Sequence, residues 1–445
     1  MYNRSTILVL LSTFSAPALP VVAQVESPAG GVPIDALEAR RAGLMAATHG
    51  VPIIIGASRL RDLEGAYDQD SDFRQTNDFF YLTGLETPGA WLVLNLPEAG
   101  SQKLFIEPRD ASQEMWTGRK LGPGPEVQAR SGVEDVRSTE RFVSDVSAWL
   151  DGSSAETVQV DPGAAEHVEM LREALGGKVD GVGSTAAAVA ALRQRKDSEE
   201  VRRLREAVKI TSDAHLEAWR FARPGVHEFE IEAVIEYVFR SRGAERLGFP
   251  SVVASGENSV TLHHDKNRRM LEAGDLVVVD IGAEFGYYTA DLTRTFPASG
   301  TFTDRQREVY ELVLSTQQAA IEAVRPGITM GELSQMARQH MEEHSGDLCG
   351  DQPCTAYFPH GLSHWLGMDV HDVGDYGVPL EPGMVLTIEP GIYLPDENLG
   401  VRIEDDVLVT ETGYELLSRD LPRSPDEIER IMSEPPQSEV VREGR

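Results

Sequence analysis

Beyond residue 23 the sequence has no apolar run near the roughly 20 residues that cross a bilayer, which argues against a membrane-spanning helix in the body of the chain. Positive charge is scarce too: 41 Lys and Arg face 72 Asp and Glu, for a formal net charge of −31. Such an acidic surface repels phosphate backbones and anionic lipid, so nucleic acid is a poor partner class. Several catalytic signatures are missing: there is no P-loop, no dinucleotide glycine fingerprint after a strand and no G-x-S-x-G elbow. Ser363 does adjoin His364, but sequence neighbours rarely make a nucleophile and base pair, which leaves little room for a serine hydrolase.

The apolar run that does exist lies at the start. Arg4 supplies a positive charge, Ile7 to Val22 is apolar, small or hydroxyl-bearing, and Val21-Val22-Ala23 precedes Gln24 with a small residue at the cut. Residues 1–23 therefore read as a secretory signal peptide, which predicts export to a periplasm or the medium. Cysteine is almost absent, with only Cys349 and Cys354, in LCGDQPC. In an exported chain that pair points to a disulfide rather than a metal site or nucleophile, with two free thiols as the alternative.

The length left after cleavage exceeds what one hydrophobic core usually serves, so two domains are expected. Residues 33–185 alternate helix-like segments (IDALEARRAGLMAATH, TERFVSDVSAWL, AAEHVEMLREAL) with short buried-strand patterns (VPIIIGA, WLVLNL, KLFIEP), implying a smaller α/β N-terminal domain. The glycine-rich GGKVDGVGS marks a boundary, and Asp197-Ser198 ahead of Glu199-Glu200 looks like the start of a long helix. Residues 190–432 contain an internal repeat. ARPGVHEFEIEAVIEYVF at Ala222 is echoed by VRPGITMGELSQMARQHM at Val324, and LEAGDLVVVDIG at Leu271 by LEPGMVLTIEPG at Leu380. Asp280 in the first half thus corresponds to Glu389 in the second, and two facing halves make a pseudo-twofold α+β domain.

Each half carries an acidic hairpin. A symmetric turn around Gly286 would set Asp280 opposite Asp291, and one inside PDENLG would set Glu389 opposite Glu404, with paired Cβ atoms roughly 4.5–5.5 Å apart. A bulge at Pro390-Gly391 would shift the second register. Carboxylates so close repel unless a cation lies between them. Four converging from two hairpins carry too much charge for one divalent ion, so two ions are expected. Hard oxygen ligands with an imidazole favour Mn2+, with Zn2+, Co2+ or Fe as alternatives. The imidazole comes from PHGLSHWLGMDVHD, which holds His360, His364 and His371, or from LHHDKN, which holds His263 and His264. The spacing of His360 and His364 mimics a zincin, but no Glu follows His360 to act as its base.

Together VVVDIG, TADLTRTF, HGLSHWLGMDVHDVG, LTIEPGIY and VRIEDD resemble the catalytic domain of the creatinase and methionine aminopeptidase superfamily, the pita-bread fold. The HGLSHWLG version resembles aminopeptidase P, the Xaa-Pro aminopeptidases, and SDFRQTNDFFYLTGLETPGAWLVL is similar to the N-terminal domain found there and in prolidase. The resemblance implies that Asp280, Asp291, His364, Glu389 and Glu404 hold a dinuclear, usually manganese, centre, with Asp291 and Glu404 shared between the ions. It implies substrate-binding and proton-handling roles for His263, His360 and His371. Arg402 would sit beside the carboxylates and keep them ionised. The implied reaction removes an N-terminal residue from peptides with proline second, and Glu389 would take up the proton of the attacking water. A homodimer or homotetramer through the N-terminal domain is also implied.

Three features depart from the simplest family pattern: the export signal, the Cys pair before His360, and the short connection from Glu389 to Glu404. Two other readings remain. Prolidase, a dipeptidase, uses the same metal set, and chain-length preference separates it from an aminopeptidase. A metal-free peptide-binding protein on this fold would be separated by metal analysis, although every ligand position here is filled by a ligating side chain.

Overall fold

A computed structural model describes residues 29–60, 73–96, 102–152, 155–164, 167–178 and 181–437, and the expected signal peptide lies outside them. The aliphatic runs of the first part become strands buried on both faces. β1 (Ile53–Gly56), β2 (Trp91–Leu94), β3 (Lys103–Ile106), β4 (Asp135–Ser138), β5 (Thr157–Asp161) and β6 (Gly181–Ser184) form one sheet in the order β4-β3-β2-β1-β5-β6. β1–β2 and β2–β3 are antiparallel, while the other three pairings are parallel. Alternation along the strands divides the core: Ile53, Ile55, Leu92 and Leu94 join one apolar cluster, and Ile54, Trp91 and Val93 join another. Helices α1 (Ile34–Ala47), α2 (Asn77–Thr83), α3 (Ala111–Thr117), α4 (Pro125–Ser131), α5 (Phe142–Asp151) and α6 (His167–Leu175) complete this layer structure. Apolar cover on both faces of β1, β2 and β3 is why those three read as continuous aliphatic runs, whereas β4, β5 and β6 are more exposed.

α7 (Ala186–Arg193) leads into the second part, which opens with α8 (Ser198–Phe221) at the expected place. Asp197 caps it, accepting from the Glu199 and Glu200 amides at 2.9 Å each, while the Glu200 carboxylate accepts from the Asp197 amide at 2.9 Å. The first half continues with α9 (Glu228–Ser241), β7 (Arg246–Leu247), β8 (Val252–Ser255), β9 (Leu276–Ile281), β10 (Ala283–Phe285), β11 (Tyr288–Thr289) and β12 (Leu292–Pro297). The second half consists of α10 (Asp304–Ala323), α11 (Met330–His344), β13 (Val385–Ile388), β14 (Gly391–Leu394), β15 (Leu399–Arg402), β16 (Asp405–Val409), β17 (Tyr414–Leu416) and α12 (Pro425–Met432).

The repeat seen in the sequence is a repeat of hydrogen bonds. The Gly225 amide donates to Leu271 O at 2.8 Å and the Leu271 amide to Val226 O at 2.8 Å. In the second half the Gly327 amide donates to Leu380 O at 2.8 Å and the Leu380 amide to Ile328 O at 2.7 Å. Gly225 and Gly327 share a left-handed φ, +92° and +88°, which explains why glycine follows Arg-Pro in both halves.

One hairpin register matches expectation and the other is corrected. Ile388 pairs with Asp405 and Gly391 with Arg402, so the same register runs on both sides of Pro390 and sets Glu389 opposite Glu404, with no bulge between. In the first hairpin Asp280 pairs with Thr293 rather than with Asp291. The turn falls at Gly286-Tyr287, one residue later than a symmetric hairpin would put it, so the pairing moves by two. A shift of two keeps Asp280 and Asp291 on one face as diagonal neighbours.

The two hairpins are stitched across the pseudo-twofold seam. The Glu404 amide donates to Thr293 O at 3.0 Å, and Thr295 Oγ1 donates to Arg402 O at 2.9 Å. Arg294 donates to Glu404 O at 2.7 Å and to Asp405 Oδ1 at 2.7 Å, and the side chains of this ion pair are 0% exposed. Cys349 and Cys354 are joined in a disulfide just before the segment that carries His360. Replacing Arg294 by Met leaves the Asp405 charge without its main partner, so urea unfolding should show a loss of about 3–5 kcal/mol; a loss under 1 kcal/mol would remove the seam ion pair from the account of stability.

Candidate metal centre

The five expected ligands lie where β-structure is interrupted. Asp280 is near the end of β9, Asp291 directly precedes β12, Glu389 sits between β13 and β14, and Glu404 between β15 and β16. His364 belongs to an extended segment alongside β13. The Thr387 amide donates to His364 O at 3.0 Å, the Glu389 amide to Leu362 O at 2.9 Å and the Leu366 amide to Val385 O at 3.1 Å. In the first half β8 holds the corresponding place, with Ala254 paired to Val278 where His364 pairs with Thr387. The duplication is therefore symmetric in backbone, yet only the second half supplies an imidazole.

The side chains converge. His364 Nε2 lies 3.3 Å from Asp291 Oδ2, 3.6 Å from Glu389 Oε1 and 3.9 Å from Glu404 Oε1. Ligand atoms of Asp291, His364 and Glu404 all fall within 4.8 Å of one another. Asp280 lies close enough to Asp291 for its charge to push the Asp291 carboxyl up, and it accepts from Arg402 Nη2 at 2.7 Å. His364 Nδ1 faces Trp365 O at 3.1 Å, and a carbonyl only accepts, so Nδ1 carries a hydrogen and Nε2 is the ring nitrogen turned toward the carboxylates.

That arrangement fits a bound cation. Asp280 Oδ1, Asp291 Oδ1 and Glu404 Oε1 are buried without a hydrogen-bond donor among the described residues. Burial, followed by the charges of Asp280, Asp406 and Glu389, pushes the Asp291 carboxyl well above the carboxylate range. Burial and the neighbouring Asp291, Glu389 and Asp280 do the same to Glu404. Burial raises Glu389 to about 7 against the opposing pull of His364 and Arg402. Packed acids repel one another as they stand, and a hard divalent cation bound by oxygen and nitrogen removes that repulsion.

Around the cluster, Arg402 links Asp280 to Tyr393, donating to the phenol oxygen at 2.9 Å. His360 Nδ1 lies 2.8 Å from Gly361 O and Nε2 2.9 Å from the Tyr393 hydroxyl. The carbonyl requires hydrogen on Nδ1, so Tyr393 donates to Nε2 and the ring is neutral. Burial lowers its pKa to about 4, consistent with that tautomer. His371 is exposed, with its ring centroid 4.1 Å from that of His364, and burial together with the His364 and His263 rings holds its pKa below the ordinary imidazole value. His263 is exposed on the 261–270 loop.

Sequence reasoning missed the residues that hold these groups in place. Thr293 Oγ1 donates to Glu404 Oε2 at 2.8 Å, Asp406 Oδ2 accepts from the Asp291 amide at 3.1 Å, and Thr387 Oγ1 accepts from the His364 amide at 3.2 Å. Glu228, which is 0% exposed, accepts from the Ser255 amide and hydroxyl at 2.8 Å each, Asn258 Nδ2 at 2.9 Å and the Arg269 amide at 2.9 Å. One carboxylate thereby gathers the loop that presents His263. The strand residues were readable, since 291-293-295, 387-389 and 402-404-406 each share a face by simple alternation.

Residues 202–411 match the model of metallopeptidase family M24, and residues 37–158 match that of the aminopeptidase P N-terminal domain. The chain is 36% identical over 401 residues to Xaa-Pro aminopeptidase of Escherichia coli (strain K12), covering 82% of this chain and 90% of the relative. The chain belongs to the aminopeptidase P group of metallopeptidase family M24. Within M24 it is also 32% identical over 426 residues to Xaa-Pro dipeptidase of Homo sapiens, covering 81% of this chain and 84% of that protein. A solved structure of zinc-substituted E. coli aminopeptidase P in complex with product matches at a TM-score of 0.83 and 33% identity, over 91% of this chain and 99% of that one. The C-terminal part is thus the M24 pita-bread domain, preceded by the aminopeptidase P N-terminal domain.

Stripping divalent ions from this M24 protein with a chelator should lower its Tm, and added Mn2+, Co2+ or Zn2+ should restore it in the wild type but not in Glu404→Gln. A Tm indifferent to chelation and to added metal would contradict a metal site here.

Proposed function

We propose that the protein is a dinuclear-metal aminopeptidase that removes the N-terminal residue from peptides with proline in the second position. The observation that carries this reading is the convergence of Asp291, Glu389 and Glu404 on His364 Nε2, in a chain related over most of its length to an Xaa-Pro aminopeptidase. Asp280, Asp291, His364, Glu389 and Glu404 would hold the two ions, and an oxygen-rich set with one imidazole suits Mn2+. Bound there, the ions supply Lewis-acid polarisation of the scissile carbonyl and a lowered pKa for a water in the site.

The chain's own groups do the rest. Glu389 takes the proton of the attacking water on its carboxylate and passes it to the proline nitrogen as the peptide bond breaks. His371, exposed at the rim, donates to the carbonyl oxygen as negative charge develops on it. His263 contacts the peptide from the opposite loop. His360, neutral and braced by Tyr393, keeps a defined tautomer beside Glu389, whose Oε2 is 3.5 Å from His360 Nδ1. Arg402 holds Asp280 in place through its hydrogen bond at 2.7 Å.

The relationship to a human Xaa-Pro dipeptidase makes chain length the deciding measurement. The Mn2+-loaded protein should cut Xaa-Pro-Yaa tripeptides and longer peptides; cleavage of Xaa-Pro dipeptides alone would assign it to the dipeptidases. Glu389→Gln should lower turnover by about 100-fold or more with the fold intact, and a variant within threefold of wild type would remove Glu389 from the proton-transfer role. Export through residues 1–23 belongs to the same proposal, supported by the charged start and apolar run of the leader. Assembly as a homo-oligomer through the N-terminal domain also belongs to it, supported by the family resemblance.

A further inference from the structure

Between His364 and His371 the chain makes a short excursion, Trp365 to Val370, and the N-terminal domain covers it. Leu366 and Met368 are buried in the same apolar cluster as Leu37, Phe79 and Leu82 of that domain. Arg74 of the N-terminal domain donates to Met368 O at 3.2 Å. Arg193, the last residue of α7, reaches both ways. Its Nη1 donates to Asp78 Oδ1 on α2 at 2.7 Å, and its Nη2 to Asp372 Oδ1 at 2.6 Å and Asp369 Oδ2 at 3.0 Å.

Asp372 closes the excursion. Its amide donates to Trp365 O at 2.9 Å, its second oxygen accepts from Lys196 Nζ at 3.0 Å, and its side chain is 1% exposed. A Cβ at Gly367 would fall 2.1 Å from Asp372 Oδ2, so the carboxylate occupies space that only glycine leaves open. His371, the neighbour of Asp372, is held with its ring against His364. A guanidinium presents donors in a rigid planar fork and can grip two carboxylates at once in a fixed geometry, which an ammonium cannot reproduce.

We propose that Arg193 is a positioning residue for His371: anchored by Asp78, it fixes through Asp372 the loop that presents His371 to the peptide, making the N-terminal domain part of the active site. This rests on the reading that His371 meets the substrate. Displacements of about 1 Å remote from a reacting bond can cost up to 100-fold in rate, so a loosened loop should show in turnover before it shows in folding.

The test is a double-mutant cycle on the full chain loaded with Mn2+. Arg193→Lys and Asp78→Ala are each assayed for kcat and KM on an Xaa-Pro-Yaa tripeptide, in the wild-type and His371→Ala backgrounds. Each should lower kcat/KM about tenfold in the wild type and less than twofold once His371 is gone, because groups acting through one another are non-additive. Equal losses in both backgrounds, or none in the wild type, would overturn the proposal. Histidine ring NMR on the Zn2+-loaded protein, whose metal has no unpaired electrons, provides a reading independent of turnover: the His371 resonance, assigned by its loss in His371→Ala, should shift or broaden in both variants, and an unmoved resonance overturns positioning. A wild type that cuts no Xaa-Pro peptide would sink only the proposed reaction, since the spectra still decide the positioning. Should Arg193→Lys fail to fold, Asp78→Ala decides, because Asp78 is 20% exposed at the outer end of the chain of contacts.

Discussion

Buried like charge at the seam of two hairpins is the constraint around which the C-terminal half is organised. Taking an ionised carboxylate out of water costs several kcal/mol even after the protein relaxes, and this seam gathers Asp291, Glu389 and Glu404 around one imidazole, with Asp280 close enough to raise the Asp291 carboxyl. One buried guanidinium meets part of that cost, and a second neutralises the acid next to Glu404. Arg402 takes Asp280 on the open side, and Arg294 takes Asp405 behind the cluster. Asp291, Glu389 and Glu404 are left crowded around one histidine ring, an arrangement that a divalent cation would relieve. The backbone and hydroxyl bonds from Thr293, Thr295 and Glu404 then read as the means of keeping two halves together across a repulsive centre.

Much of this architecture was legible because its cause is local. Glycine after Arg-Pro, and again at Gly274 and Gly383 ahead of the acidic strands, is demanded by left-handed φ angles that recur in both halves, so the duplication is written in turn chemistry. The capping box at Asp197 and Glu200 is local in the same sense, as are the aliphatic runs of the N-terminal sheet. The second hairpin was predicted in register because its turn, with Asn398 in the left-handed region, sits at the centre of the connection.

The first hairpin was misjudged for a reason that no local pattern carries. Tyr287 adopts φ +75° in the turn, a conformation unusual for an aromatic residue, and the N-terminal domain holds it there. Its ring stacks on Phe80 with centroids 3.7 Å apart, its hydroxyl donates to Glu86 at 2.7 Å, and it accepts from the Gln75 amide at 2.9 Å. Glu228 and Asp372 escaped attention similarly, since what makes each important is a set of partners distant in sequence. The two domains thus shape each other: the N-terminal domain sets the turn of one acidic hairpin and covers the loop that follows His364. Asp406 was within reach of the sequence, because strand alternation alone puts it on the same face as Arg402 and Glu404.

Anomalous diffraction from crystals grown with Mn2+ tests the central claim most directly. Two peaks should appear inside the cluster, together contacting oxygen atoms of Asp280, Asp291, Glu389 and Glu404 and the Nε2 of His364. No peak there, or manganese held only at other acidic sites, would show that the buried charge is balanced in some other way.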